Sequence, residues 1–322
     1  MTGQEFIAAF GGEGKIKDLN SPEVRFLFAL AAGDADGAAA LFENEKQFSG
    51  LSAVDCPHGR YEGLAGIREF VTTWYGWLHS VSGRFVPVSQ TIAGRRGVIE
   101  GVFFFTKEDG SEFTIPMAAV GDHRGRCDKL DELRLYFHGF WVEDYPKYRP
   151  PIFPEKRTYE TRTEMLSGVM SYYMDLVHNK SMDLIPDTMG EGLVFFGGYG
   201  PEDEWKPVTR EQMRLDNARK ARENGPQGPL SQFVKLRMET IIDDGTTCCV
   251  EWEQLVTERG RKERSRLSQP GLSIYERDEE GWLKSIRIID HAMTERFIPW
   301  EKTPHDRTKA ENINYLPNRS FE

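Results

Sequence analysis

Apolar positions in "GLAGIREFVTTWYGWL", residues 63 to 78, recur every three or four places: Ile67, Phe70, Val71, Trp74, Trp77 and Leu78. That spacing predicts a helix with one broad apolar and aromatic face, which must lie on a sheet. Upstream, "SPEVRFLFALAAGDADGAAALFEN" reads as two short helices, with Ser21 as N-cap, Pro22 at the first helical position and Gly33 as a stop.

The pattern then changes. "RFVPVSQTIA", "GVIEGVFFFT", "EFTIPMAAV" and "KLDELRLYFHGFW" are strand-like runs separated by Gly-containing hairpin signals, so an antiparallel meander follows the helices. The second half repeats this order. "ETRTEMLSGVMSYYMDLVHN" and "VTREQMRLDNARKAREN" predict helices, the latter opened by a capping box of Thr209 and Gln212. "SQFVKLRMETII", "TTCCVEWEQLVTE", "ERSRLSQPGLSIYER" and "WLKSIRIIDHAM" predict the strands. Only the final strands align residue for residue: Arg134 over Arg287, Leu135 over Ile288 and His138 over His291. The duplication is therefore legible in element order more than in identity.

Four prolines in "EDYPKYRPPIFPEKR" favour extended backbone and place a linker between the halves. The resulting division is an N-terminal extension (1–19), a first domain (20–142), a linker (143–159), a second domain (160–298) and a polar tail (299–322).

Composition narrows the function. With 39% hydrophobic and 12% aromatic residues, the 322-residue chain has apolar surface for two cores and lined cavities. Forty-one basic against 51 acidic residues give a net charge of −10, which disfavours nucleic acid and anionic lipid. The basic run "RGRKERSR", residues 259 to 266, reads as a solvated hairpin rim or a local anion patch. Cys56, Cys127, Cys248 and Cys249 show neither zinc nor disulfide spacing, no run reaches membrane-spanning length, and no leader pattern opens the chain. A cytoplasmic protein without metal, nucleotide or other cofactor is expected.

"GRYEGLAGIREF" ahead of the first meander and "GLSIYERDEEGWLKSIRIID" in the second resemble the SnoaL-like branch of the nuclear transport factor 2-like superfamily. That resemblance implies an α+β fold: two tandem cystatin-like cone domains, each with N-terminal helices packed in a curved antiparallel sheet. It also implies a cofactor-independent acid-base enzyme, an isomerase, dehydratase or cyclase, acting on a hydrophobic cyclic or aromatic small molecule. Desolvation in an apolar cavity would supply the pKa tuning. The superfamily also holds non-catalytic binding and assembly modules, and fold alone does not choose between them.

Matching the ketosteroid isomerase-like element to "EGLAGIREF" puts Asp55 at the base position, with His58 or Tyr61 donating to an enolate. A loop cap is the plainer role for Asp55. In the second domain Phe195 and Phe196 stand where that carboxylate would be, which argues against the same chemistry there: the second domain is either non-catalytic or uses other groups. Period-two alternation puts Glu132, Arg134, Tyr136 and His138 on one face. If that face is inward, Tyr136 and His138 are donors; if outward, they serve domain pairing within the chain or a homo-oligomer. In the second domain Asp290 shares a face with Ile286 and Ile288, whereas Arg287 and His291 share the other. Asp290 is either a general base of the epoxide-opening type or a strand-end carboxylate paired to Arg287 or a neighbour. Phe70, Trp74, Trp77, Tyr173 and His291 are the candidate pocket residues, and the aromatics among them serve equally as core.

Overall fold

A computed structural model describes residues 2–42, 50–53, 60–123, 128–137, 168–178, 184–197, 209–224, 232–258, 265–290 and 298–299. The chain divides into two compact units, Met1–Pro154 and Glu155–Glu322.

Unit 1 begins with a helix in the stretch read as an extension: α1, Gly3–Phe10, closed by a Thr2/Glu5 capping box. Helix α2 spans Pro22–Ala32 and stops at Gly33, which adopts φ 67°, a left-handed conformation that glycine reaches without a Cβ penalty. Helix α3, Ala35–Ala39, is capped by the Asp34 side chain, and α4 is Gly63–Trp77. The strands are β1 (Gly50–Ala53), β2 (Arg60–Glu62), β3 (Ser82–Ala93), β4 (Arg96–Thr106), β5 (Glu112–His123) and β6 (Leu130–Phe137). They form one sheet in the order β2-β1-β6-β5-β4-β3.

Unit 2 contains α5 (Gly168–His178), a 3-10 turn (Ile185–Thr188), β7 (Met189–Gly197) and α6 (Arg210–Asn224). The strands β8 (Gln232–Asp243), β9 (Thr247–Glu258), β10 (Ser265–Arg277), β11 (Leu283–Asp290) and β12 (Ile298–Pro299) follow. The sheet order is β7-β11-β10-β9-β8, with β12 pairing β10. The capping box expected at α6 is present: Gln212 N–H donates to Thr209 Oγ1 at 3.3 Å and Thr209 N–H to Gln212 Oε1 at 3.0 Å.

The fold is α+β as expected, with one correction. Neither sheet is purely antiparallel, because β1 runs parallel to β6 and β7 runs parallel to β11. Both strands come from segments without clear alternation, and β7 covers "GLVFF", the stretch matched to a base-bearing element.

In unit 1, α2, α3 and α4 pack on the sheet face that carries Phe103, Phe105, Ile115, Met117, Leu133, Leu135 and Phe137, whereas α1 lies against Val102 and Thr114 on the other face. In unit 2, α5 packs on the face carrying Cys248, Val250, Trp252, Tyr275 and Ile286. The opposite faces carry buried polar groups among apolar ones, and the polar groups follow one plan. Arg134 makes a two-pronged ion pair with Asp122, at 2.9 and 3.1 Å, two positions beyond its cross-strand partner Val120. Arg287 reaches Glu276 at 3.3 Å, two positions beyond its partner Ile274. Ser89 donates to Glu100 at 2.7 Å beside the β3 bulge, and Thr240 donates to Glu251 beside the β8 bulge. Four side chains thus recur in register at equivalent rungs of the two sheets. They also explain the guanidinium in each final strand: Arg134 and Arg287 are fully buried, and each is held by a carboxylate on the preceding strand.

Candidate functional site

Strand β10 carries Gly271, Ser273, Tyr275 and Arg277 at alternate positions, and so on one face. Pairing brings further residues onto the same rungs. Cys248 and Ile286 flank Tyr275, Val250 and Ile288 flank Ser273, and Trp252 and Asp290 flank Gly271. Polar groups therefore run in a row through the apolar cluster that α5 closes with Met170, Tyr173, Met174 and Leu176.

Two hydrogen bonds lie along it. Trp252 Nε1–H donates to Ser273 Oγ at 2.8 Å, and Tyr275 donates to Tyr173 at 3.4 Å. The two phenol rings lie 4.8 Å apart, centroid to centroid. The Trp252 indole can lie over the sheet because residue 271 is glycine, where a Cβ would overlap the ring. Substituting Gly271→Val is therefore expected to displace Trp252, break its bond to Ser273 and red-shift tryptophan emission in a fluorescence comparison.

Burial governs the protonation of this row. It pushes the Tyr173 phenol up to about 12, against a smaller lowering by the bond from Tyr275. Tyr275 is pushed well above its ordinary value, again chiefly by burial. Both phenols are thus neutral donors at physiological pH. A raised folded-state value means the native state holds the Tyr173 proton longer than the unfolded chain does. The associated stability is complete below about pH 10 and is lost as pH rises towards 12. Urea midpoints are expected to fall across that interval, and Tyr173→Phe is expected to flatten the fall.

At one end of the row, Arg277 and Asp243 form a two-pronged pair at 2.9 and 2.5 Å. The Cys248 thiol beside them is pushed up, first by burial and then by the Asp243 charge, so it is no ready nucleophile. At the other end the row reaches the rung of Asp290.

Unit 1 differs at the equivalent rungs. Gly97 and Gly121 face each other there, and a Cβ on Gly97 would overlap the Glu23 carboxylate, which instead occupies that space. Glu23 Oε2 lies 2.9 Å from His123 Nε2, both side chains almost fully buried. Gln90 Nε2 reaches Ser21 Oγ at 2.8 Å and Glu23 Oε1 at 3.4 Å. This cluster fastens the start of α2 to the sheet. Gly97→Leu is expected to unseat α2 and lower the melting temperature, measured by circular dichroism.

The predicted residues fall as follows. Phe70 and Trp74 are fully buried, with Trp74 ringed by Phe70, Phe103, Phe105 and Phe137 at centroid distances of 5.4–6.1 Å. Tyr61, Phe70 and Trp77 form a mutual ring trio. The Trp74 Nε1–H is buried with no hydrogen-bond partner among the described residues. Tyr136 lies on the sheet face opposite the one that α2, α3 and α4 cover, paired across to Ala118. Tyr173 joins the unit 2 row. Asp55, His58, His138 and His291 lie outside the described residues, as do the side chains of His178, Phe195 and Asp290. Arg287, offered as a partner for Asp290, is engaged by Glu276 and Ser285.

Sequence reasoning missed Trp252, Ser273 and Tyr275, although the alternation in "GLSIYER" places the last two on one face. It also missed Glu23 and His123, whose pairing across 100 positions leaves no local signal. Among the described residues no group of three or more His, Cys, Asp or Glu is arranged to hold a metal ion, and no helix is long and apolar enough to cross a membrane.

No family model matches the chain, and no curated protein sequence matches it. Solved structures with local similarity include a protein of ketosteroid isomerase-like fold from Catenulispora acidiphila, at 15% identity over 36% of this chain and 83% of that one, with a TM-score of 0.31. A candidate SnoaL-like polyketide cyclase from Shewanella putrefaciens is 14% identical over 41% of this chain and 86% of its own, with a TM-score of 0.32. A hexachlorocyclohexane dehydrochlorinase is 9% identical over 37% and 82%, with a TM-score of 0.31.

Proposed function

We propose that unit 2 is a cofactor-independent acid-base centre of the isomerase or dehydratase class, acting on an apolar, ring-bearing carbonyl compound. Asp290 takes a proton from the carbon next to the carbonyl, the electron pair moves to the carbonyl oxygen, and neutral tyrosine hydroxyls hydrogen-bond the resulting enolate. The proton then returns to carbon, so no redox partner is needed. The observation that carries this reading is the row itself: two buried, protonated phenols in an apolar cluster, on a sheet face whose next rungs lead to Asp290. A pure core would be expected to carry hydrocarbon at those rungs, because each buried hydroxyl must be satisfied.

A second reading keeps the chemistry in unit 1, with Asp55 as base. It is favoured by the Trp74 indole N–H, a buried donor inside an aromatic wall. Loss of α-deuterium from deuterated β-tetralone, followed by mass spectrometry, separates the readings. Loss of exchange in Asp290→Asn supports unit 2. Exchange retained there but lost in Asp55→Asn moves the site to unit 1, and no exchange by the full-length protein leaves a binding module.

A further inference from the structure

Residues 2–20 wrap the edge of the unit 1 sheet. Strand β3 is last in the strand order, and its Gln90 N–H donates to Lys15 O at 2.9 Å, so the incoming chain covers part of that edge. On one face of the sheet lies α1: Gly3 N–H donates to Thr114 Oγ1 at 3.2 Å, a Cβ at Gly3 would press on Val102, and Phe6 and Phe10 are buried. On the other face lies α2, whose Val24, Leu27 and Leu30 join the core. The chain passes from one face to the other after a turn at Gly14, which adopts φ 75°.

One side chain holds both ends of this crossing. Gln90 Oε1 accepts from the Lys17 and Asp18 N–H groups at 2.9 and 2.7 Å. Its Nε2 donates to Asp18 O at 3.1 Å, to Ser21 Oγ at 2.8 Å and to Glu23 Oε1 at 3.4 Å. The carboxamide, 3% exposed, thus has its whole hydrogen-bonding capacity engaged by the strap and the start of α2. Glu23 carries the tie inward, where it fills the space over Gly97 and meets His123.

We propose that residues 2–20 are a strap and that Gln90 is its latch, so that docking of α1 on one face and seating of Glu23 on the other open and close as a single event. A buried amide that bonds two segments at once loses partners on both sides when either segment moves. Release of the strap therefore unseats Glu23 and uncovers the paired glycines 97 and 121, leaving a hollow against the inner face of the sheet.

The test is native-state amide hydrogen exchange on the full-length protein, read by mass spectrometry in peptides from α1, α2 and β6. Gly3→Leu acts on the outer face alone, pushing α1 off Val102 and Thr114. It is expected to speed exchange about tenfold in α1 and, through the latch, in α2, with β6 unchanged. Gln90→Glu keeps the size of the side chain but sets a carboxylate against Glu23 and the Asp18 carbonyl, and is expected to give the same pattern. Phe6→Ala takes the place of Gly3→Leu if that variant does not fold. Faster exchange in α1 with α2 at its wild-type rate would overturn the strap, because the two faces would then open independently. A rise in all three peptides together would also overturn it, since the event would be unfolding of unit 1 as a whole, and so would wild-type rates throughout in either variant.

Discussion

Replacing Asp243 with alanine is expected to destabilise unit 2 by about 3–5 kcal/mol, the cost of breaking a buried ion pair from one side. The Asp243 and Arg277 side chains are 1% and 2% exposed, and Arg277 is held by both carboxylate oxygens. Asp243 Oδ1 also accepts the Gly245 N–H at 2.8 Å, fixing the turn into β9. Removing the carboxylate leaves a guanidinium in a low-dielectric interior without its counter-charge and loosens that turn. The double variant Asp243→Ala, Arg277→Met is expected to recover much of the loss, because the desolvation penalty disappears with the charge. Urea unfolding of the two variants is the measurement. A single variant as stable as wild type would show that water reaches Arg277.

Asp290→Asn is expected to reduce β-tetralone exchange by about 10²–10⁴-fold, the usual contribution of a placed general base. An amide keeps the size of the side chain but cannot take the proton. Folding is expected to be unchanged, since the substitution falls on the last residue of β11. The remaining donors predict the alkaline behaviour. Because burial keeps the Tyr173 phenol protonated up to about 12, exchange is not expected to fall through ionisation of this phenol near pH 10. A loss of rate centred near pH 10 would mean that the reacting tyrosine is solvated and lies elsewhere.

These expectations show how far local pattern reached. The α4 face, the Pro22 start and Gly33 stop of α2, and the α6 capping box were legible because each depends on residues within one or two turns. Strands β3 to β6 were legible from alternation and hairpin glycines, with ends shifted by a few residues. Strands β1 and β7 were not. Each is placed parallel to a strand some 80 to 90 positions away, and nothing in four or nine residues specifies such a partner. The α1 capping box was readable in "MTGQEF", but a short helix beside glycines gave little periodic signal.

The site divides along the same line. Tyr173 was anticipated as a pocket residue, and Asp290 was placed on the face of Ile286 and Ile288, which are on rungs of the helix-covered side. Tyr136 was left between two faces until the register with β5 resolved it. By itself the sequence determined the kinds of element, their order, the duplicated grammar of the two halves and an acidic balance unsuited to polyanions. Only the tertiary structure decided that Tyr173 meets Tyr275 across 102 positions, that Glu23 meets His123 across 100, and that glycines at 97 and 271 stand where a carboxylate and an indole need space. The physical reason is that helix and strand periodicity are set by neighbours along the chain. The partner of a buried polar group is instead set by which surfaces pack together, and the energy of satisfying it appears only once they do.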